Sequence, residues 1–189
     1  ALGRLENAIA ATDLPARTLR GAILDGVEQG NEAVRELGIG AATTLVVAEI
    51  AGDTLRPYHV GDSAMLVVGQ RGKIKLQTVA HSPVGYALES GLLEEEEALH
   101  HDQRHLISNM VGSAEMRIEV GSPIRLAPKD TVLLATDGLL DNLSLQEIVD
   151  GIRTGPLAKV VQNLARSCGQ RIRDPEDGHP SKPDDTTFL

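Results

Sequence analysis

Residues 130–136, DTVLLAT, carry an unbroken apolar run from Val132 to Ala135, and the run stops at Asp137-Gly138. A strand that is apolar on both faces must be covered on both faces. It demands a layer above its sheet and another below. That excludes architectures in which one sheet face meets water.

The rest of the chain supplies strands and helices in a segregated order. Leu2, Leu5 and Ile9 share one helical face within 1–11, and Asp13 and Pro15 mark a new helix start. Leu19, Ala22, Ile23, Gly30, Ala33, Val34 and Leu37 continue a helical stripe to Gly38. TTLVVAEI (43–50) is β-branched and reads as a strand, Gly52-Asp53 as a turn, and LRPYHV (55–60) as the returning strand. AMLVVG (64–69) and KIKLQTV (73–79) follow, so 43–79 is expected to form an antiparallel meander. MRIEVGSPIRL (116–126) alternates again. Ser144 and Glu147 have capping-box spacing, and Leu145, Ile148, Val149 and Ile152 form the stripe behind them. Pro156 opens another helix, with Leu157, Val160, Val161, Leu164, Cys168 and Ile172 on one side. DPEDGHPSKP (174–183) reads as a surface loop and DTTFL (185–189) as a final strand. The expected fold is α+β, two antiparallel β-sheets sandwiched between helices, in a single domain over 1–189.

Composition narrows the function. With 189 residues, 41% hydrophobic, but two Tyr, one Phe and no Trp, the core must be aliphatic. Eighteen basic against 27 acidic residues leave a net charge of −9, which repels nucleic acid and anionic membranes. A lone Cys168 forms no internal disulfide and implies a reducing, cytoplasmic setting. No apolar run approaches the ~18 residues of a membrane span, and no signal peptide is expected. Ala1 is not a methionine, so the chain is expected to begin at a processing or boundary point.

Four aspartates stand where strands begin or end. Asp62 lies in the turn HVGDS, Asp137 ends the apolar strand, Asp141 follows it by four residues, and Asp184 begins the terminal strand beside Asp185. A carboxylate at the end of a buried strand is costly unless it is paired or bound to metal. No Lys or Arg stands near Asp137 in sequence as an obvious partner. An oxygen-only set suits a hard cation, Mg²⁺ or Mn²⁺. A turn or a helix cap explains any one of these aspartates alone. The metal reading requires all four to converge.

Read together, GDSA (61–64), LLATDGLLDNLS (133–144) and PDDTT (183–187) resemble three ordered motifs of the metal-dependent PP2C-type serine/threonine phosphatases, bacterial members especially. GAATTLVVA (40–48) resembles the family's Gly/Ser/Thr-rich strand. RHLISNMVGS (104–113) is similar to a segment where many members carry an Arg, with Asn109 at that position. The resemblance implies Asp137 and Asp184 as metal ligands, with Asp62 and Asp141 completing a third, weaker metal site. It implies two and up to three Mn²⁺ or Mg²⁺ ions, a metal-activated water as nucleophile, and a phosphorylated protein as substrate. The family's opening Asp-Gly-x-Gly-Gly segment has no match here, since Asp25-Gly26 sits inside a helical stripe. The N-terminal strands are therefore expected to be missing from this chain. Two alternatives stay open: a catalytically inactive phosphatase-like binding module, and a regulator phosphatase of an anti-sigma-factor antagonist.

Weaker signals are expected to be structural. Ser63 lacks the G-x-S-x-G context of a nucleophile. His59 reads as a strand histidine, and His81 has no assigned role. The four-Glu run at 94–97 reads as a solvated face. His100, His101 and His105 with Asp102 have ligand types but no H-E-x-x-H spacing.

Overall fold

The computed structural model describes residues 16–94, 97–98, 101–175 and 179–189. The helix expected over 1–11, the Asp13/Pro15 start, Glu95, Glu96, His100 and residues 176–178 of the Pro-rich loop lie outside the described residues.

The first described element is helix α1 (Ala16–Arg35), followed by strands β1 (Leu45–Ala51), β2 (Thr54–Val60), β3 (Ala64–Val68) and β4 (Ile74–Gln77). Helix α2 (Pro83–Glu89), short strands β5 (Glu119–Val120) and β6 (Ile124–Arg125), and strand β7 (Thr131–Ala135) come next. Helices α3 (Asp137–Leu140), α4 (Leu145–Ile152) and α5 (Leu157–Arg173) complete the order.

Two antiparallel sheets form. One has the order β1-β2-β5, with β6 also on β2, and the other β4-β3-β7. The expected continuous meander is therefore corrected. β1 pairs β2 and β3 pairs β4, but β2 and β3 belong to different sheets. The chain crosses between them at Gly61-Asp62. Gly61 has φ +99°, and a Cβ there would lie 2.3 Å from Thr44 Cγ2, so the crossing requires glycine. The expected strand over 116–126 is interrupted at 121–123, where Gly121 and Pro123 separate β5 from β6. The expected terminal strand survives as a bridge. Phe188 pairs with Ala135, and Leu189 and Leu134 exchange backbone hydrogen bonds at 2.9 and 3.0 Å.

The core has three layers of contact. Leu55, Met65 and Val67 fill the space between the sheets, with Val132 and Leu134 packed against them. Leu66, Leu133 and Ala135 turn the other way, onto Ile148, Val149 and Ile152 of α4 and Val160 and Leu164 of α5. β7 is thus covered on both faces, as its apolar run requires. Ile23 and Val27 of α1 cover the outer face of the first sheet at Tyr58 and Val60. The result is an α-β-β-α sandwich. Leu55 is wholly buried, and Leu55→Ala should lower unfolding free energy by about 2–5 kcal/mol in urea titration.

α4 starts where the sequence signals it. Ser144 Oγ accepts from Glu147 N, and Glu147 Oε2 accepts from Ser144 N at 2.8 Å. Glu147 Oε1 also receives Arg171 Nη2 of α5 at 2.8 Å, which ties the two helices. Burial alone would raise the Glu147 carboxyl, but the Ser144 bonds and the Arg171 guanidinium outweigh it and hold its pKa below the ordinary value. A lowered folded-state pKa contributes stability above the ordinary carboxylate value, and that contribution is lost as pH falls through the lowered one. Glu147→Gln should therefore lose stability near pH 6 and show a shallower decline toward pH about 3, measured by urea unfolding.

Candidate metal centre

Each of the four aspartates is placed by a different local device. β7 delivers Asp137 at its C-terminal end, and Thr136 in extended geometry precedes it as the cap of α3. α3 makes one turn and closes on Asp141, whose N–H donates to the Asp137 carbonyl at 2.7 Å. One helical turn therefore sets the second carboxylate beside the first. Gly138 must lack a side chain, because a Cβ would lie 2.4 Å from the Asp185 carbonyl oxygen. That close approach brings in the terminal segment carrying Asp184. Thr136 N donates to Thr187 O at 3.0 Å, and Thr187 N donates to Thr136 Oγ1 at 3.1 Å. Asp62 arrives from the crossing turn between the sheets.

The four converge. Lys182 Nζ stands 2.7 Å from Asp141 Oδ2 and 3.4 Å from both Asp137 Oδ2 and Asp184 Oδ2. Asp62 is near enough to feel Asp137, Asp141 and Lys182. Its pKa is raised first by burial and next by the Asp137 charge, with Asp141 adding and Lys182 opposing. Burial would lower the Lys182 pKa, but the bond to Asp141 and the fields of Asp141 and Asp137 hold it above the ordinary lysine value. A cavity of about 570 Å³ has Asp62, Asp137 and Asp141 in its wall, beside apolar Met65, Leu133 and Leu140.

In chemical type these donors fit a hard divalent cation, taken in pairs rather than as a cluster of three within 4.8 Å. All are carboxylate oxygens, the Asp137, Asp141 and Asp184 side chains retain 36%, 21% and 40% of their exposure, and a cation already stands among them. Repulsion between carboxylates this close needs positive charge, and partial exposure leaves room for water ligands.

Lys182 and Asn142 went unread in the sequence. Lys182 lies in the stretch read as a plain surface loop, 45 residues from Asp137. Asn142 is wholly buried. Its Nδ2 donates to Gly138 O and Lys182 O, both at 2.8 Å, and its Oδ1 accepts from Lys182 N at 2.8 Å. It fastens the α3 turn to the terminal segment. Asn next to a paired aspartate motif was the available signal, but its partner Lys182 is 40 residues away.

His81 braces the Asp62 turn. Its Nδ1 accepts from Gly61 N at 3.1 Å and Asn109 Nδ2 at 2.8 Å, so Nε2 carries the proton donated to Glu119 at 3.0 Å. The His59 ring stacks on it with centroids 4.3 Å apart and bonds the Val79 carbonyl through Nε2 at 2.9 Å. His59, His81 and Glu119 bring ligand-type atoms within 4.8 Å of one another, but both His81 nitrogens are spent on this brace. Asn109, the position similar to a family Arg, is buried here and also clasps the Arg117 backbone. Ser63 is buried and bonded to Thr44 Oγ1 at 2.7 Å. Among the described residues, His101, Asp102 and His105 form no ligand cluster. No helix among the described residues is long and apolar enough to cross a membrane.

Comparison with known proteins identifies the fold and the family. Protein phosphatase PhpP of Streptococcus pneumoniae is 34% identical over 148 residues, covering 74% of this chain and 59% of PhpP. The chain thus spans less than two thirds of that relative's length. A solved serine/threonine phosphatase of S. agalactiae superposes with a TM-score of 0.80 at 30% identity, covering 90% of this chain and 73% of that one. The catalytic domain of the phosphatase PstP, solved in complex with two manganese ions, shares the fold at TM-score 0.73 and 24% identity, covering 98% and 77%. The Protein phosphatase 2C family model matches residues 2–176. With its sandwich of two sheets between helices and its aspartates gathered at the ends of the strands, the chain belongs to the protein phosphatase 2C family.

Proposed function

We propose that the protein hydrolyses phosphoserine and phosphothreonine in proteins, as a metal-dependent phosphatase acting in the bacterial cytoplasm, and that residues 1–189 belong to one domain. The observation that carries this reading is the convergence of Asp137, Asp141 and Asp184 on one cation, with Asp62 beside them at the cavity. Asp137 and Asp184 would hold the principal Mn²⁺ or Mg²⁺ ions, and Asp62 and Asp141 would serve a third position with Asp137. Such ions supply an activated water for in-line attack on phosphorus and neutralise phosphoryl charge.

The chain's own residues do the rest. β7 and the Gly138 turn fix where Asp137 points. Asn142 holds Asp184 in register with it. The His81 brace orients the turn bearing Asp62. A negatively charged protein repels phosphate, so bound cations are what would admit a phosphorylated residue. The test is Mn²⁺-dependent release of inorganic phosphate from phosphothreonine and phosphoserine peptides by the full-length protein, since residues 1–189 carry no Asp-Gly-x-Gly-Gly segment. Release that requires Mn²⁺ supports the proposal. Mn²⁺ binding without turnover would instead identify a phosphatase-like binding module.

A further inference from the structure

Lys182 is anchored at its root and charged at its tip. Its backbone N–H and carbonyl are both held by the buried Asn142 side chain at 2.8 Å. Its ammonium sits at 2.7, 3.4 and 3.4 Å from oxygens of Asp141, Asp137 and Asp184. The three carboxylates do not bring ligand atoms within 4.8 Å of one another, so a divalent ion would take them in pairs, Asp137 with Asp184 or Asp137 with Asp141, about 2.0–2.6 Å from each oxygen. Either ion would sit against the ammonium on the shared Asp137 carboxylate, and the repulsion between the two cations disfavours holding both there.

We propose that Lys182 is a built-in competitor for metal: its ammonium holds a cation position among Asp137, Asp141 and Asp184, and a divalent ion enters there by displacing it. The inference rests on reading these aspartates as metal ligands. It follows that the carboxylates stay gathered without metal, because Lys182 offsets their repulsion. It also follows that metal affinity is set below what the carboxylates alone would give, since each binding event breaks the Lys182 ion pairs. The side chain suits this role. Lysine is a compact charge on a flexible stem, so the ammonium can withdraw while its backbone stays clamped.

Lys182→Gln and Lys182→Arg separate charge from shape. Mn²⁺ binding is read by calorimetry and by loss of the free-ion paramagnetic resonance signal, in low-salt buffer. Lys182→Gln is expected to bind Mn²⁺ roughly tenfold or more tightly than wild type, the scale of one charge–charge interaction at a partly exposed site. It should unfold at a lower temperature than wild type without metal and gain more from added Mn²⁺. Lys182→Arg keeps the charge and should bind no more tightly than wild type. Equal or weaker Mn²⁺ affinity in a folded Lys182→Gln, with wild type binding, overturns the competitor role alone. No Mn²⁺ binding by either folded protein overturns the ligand reading beneath it.

Discussion

Asp137→Asn should reduce Mn²⁺-dependent phosphate release from a phosphothreonine peptide by more than about a hundredfold. Loss of an outer partner of a metal ligand already costs on the order of 10–100-fold, and the proposed role puts Asp137 nearer to the metal than that. The substitution keeps the side chain's shape. The backbone contacts that build the site do not depend on its charge, including the 2.7 Å bond from Asp141 N to the Asp137 carbonyl. Thermal unfolding should therefore move little. The variant loses a half-exposed ion pair with Lys182 at 3.4 Å, of the kind worth at most about 1 kcal/mol. A Mn²⁺ titration of the rate, with a melting curve on the same samples, checks both parts. Activity within twofold of wild type would remove Asp137 from the metal centre.

Asn142→Leu should have the largest effect on the fold near the site. The side chain is fully buried, and all three of its hydrogen bonds are to backbone groups: Gly138 O, Lys182 O and Lys182 N. Leucine nearly conserves volume but leaves those groups without their partner. Each unsatisfied buried group costs about 1–3 kcal/mol, though Thr186 Oγ1 still reaches Gly138 O at 3.2 Å. A net loss of about 2–4 kcal/mol is expected, which lowers the melting temperature by about 5–15 °C for a chain of this size. Metal affinity should fall too, because the segment bearing Asp184 loses its clamp. Unchanged Mn²⁺ affinity in the folded fraction would limit Asn142 to a purely structural role.

Much of the fold could be read from residue pattern alone. DTVLLAT announced a strand covered on both sides, and Leu133 and Leu134 do face opposite layers. Ser144 and Glu147 announced the α4 start, and both reciprocal bonds form. The meander failed for a physical reason. A tight turn between two apolar strands has the same local chemistry whether the strands pair or part. The steric fit of Gly61 against Thr44 decides, and it lies 17 residues away in sequence. The candidate site's aspartates stand at positions that the sequence marks, and its lysine does not. Asp62, Asp137, Asp141 and Asp184 sit at recognisable strand ends. Lys182 sits in a Pro-rich stretch whose local features signal only a loop. Its meaning depends on a buried asparagine 40 residues earlier.

The crossing at Gly61-Asp62 has a consequence for how distant substitutions should register. One aspartate is carried at the junction of the two sheets, while the other three ride on or against the second sheet. The gap between Asp62 and Asp137 is therefore a gauge of how the sheets sit on one another. Leu55, Met65 and Val67 are the spacers that set it. Trimming one of them would let the sheets slide or tilt and alter the separation of charges at their rim. Selection between a smaller and a larger ion would then respond to side chains that touch neither.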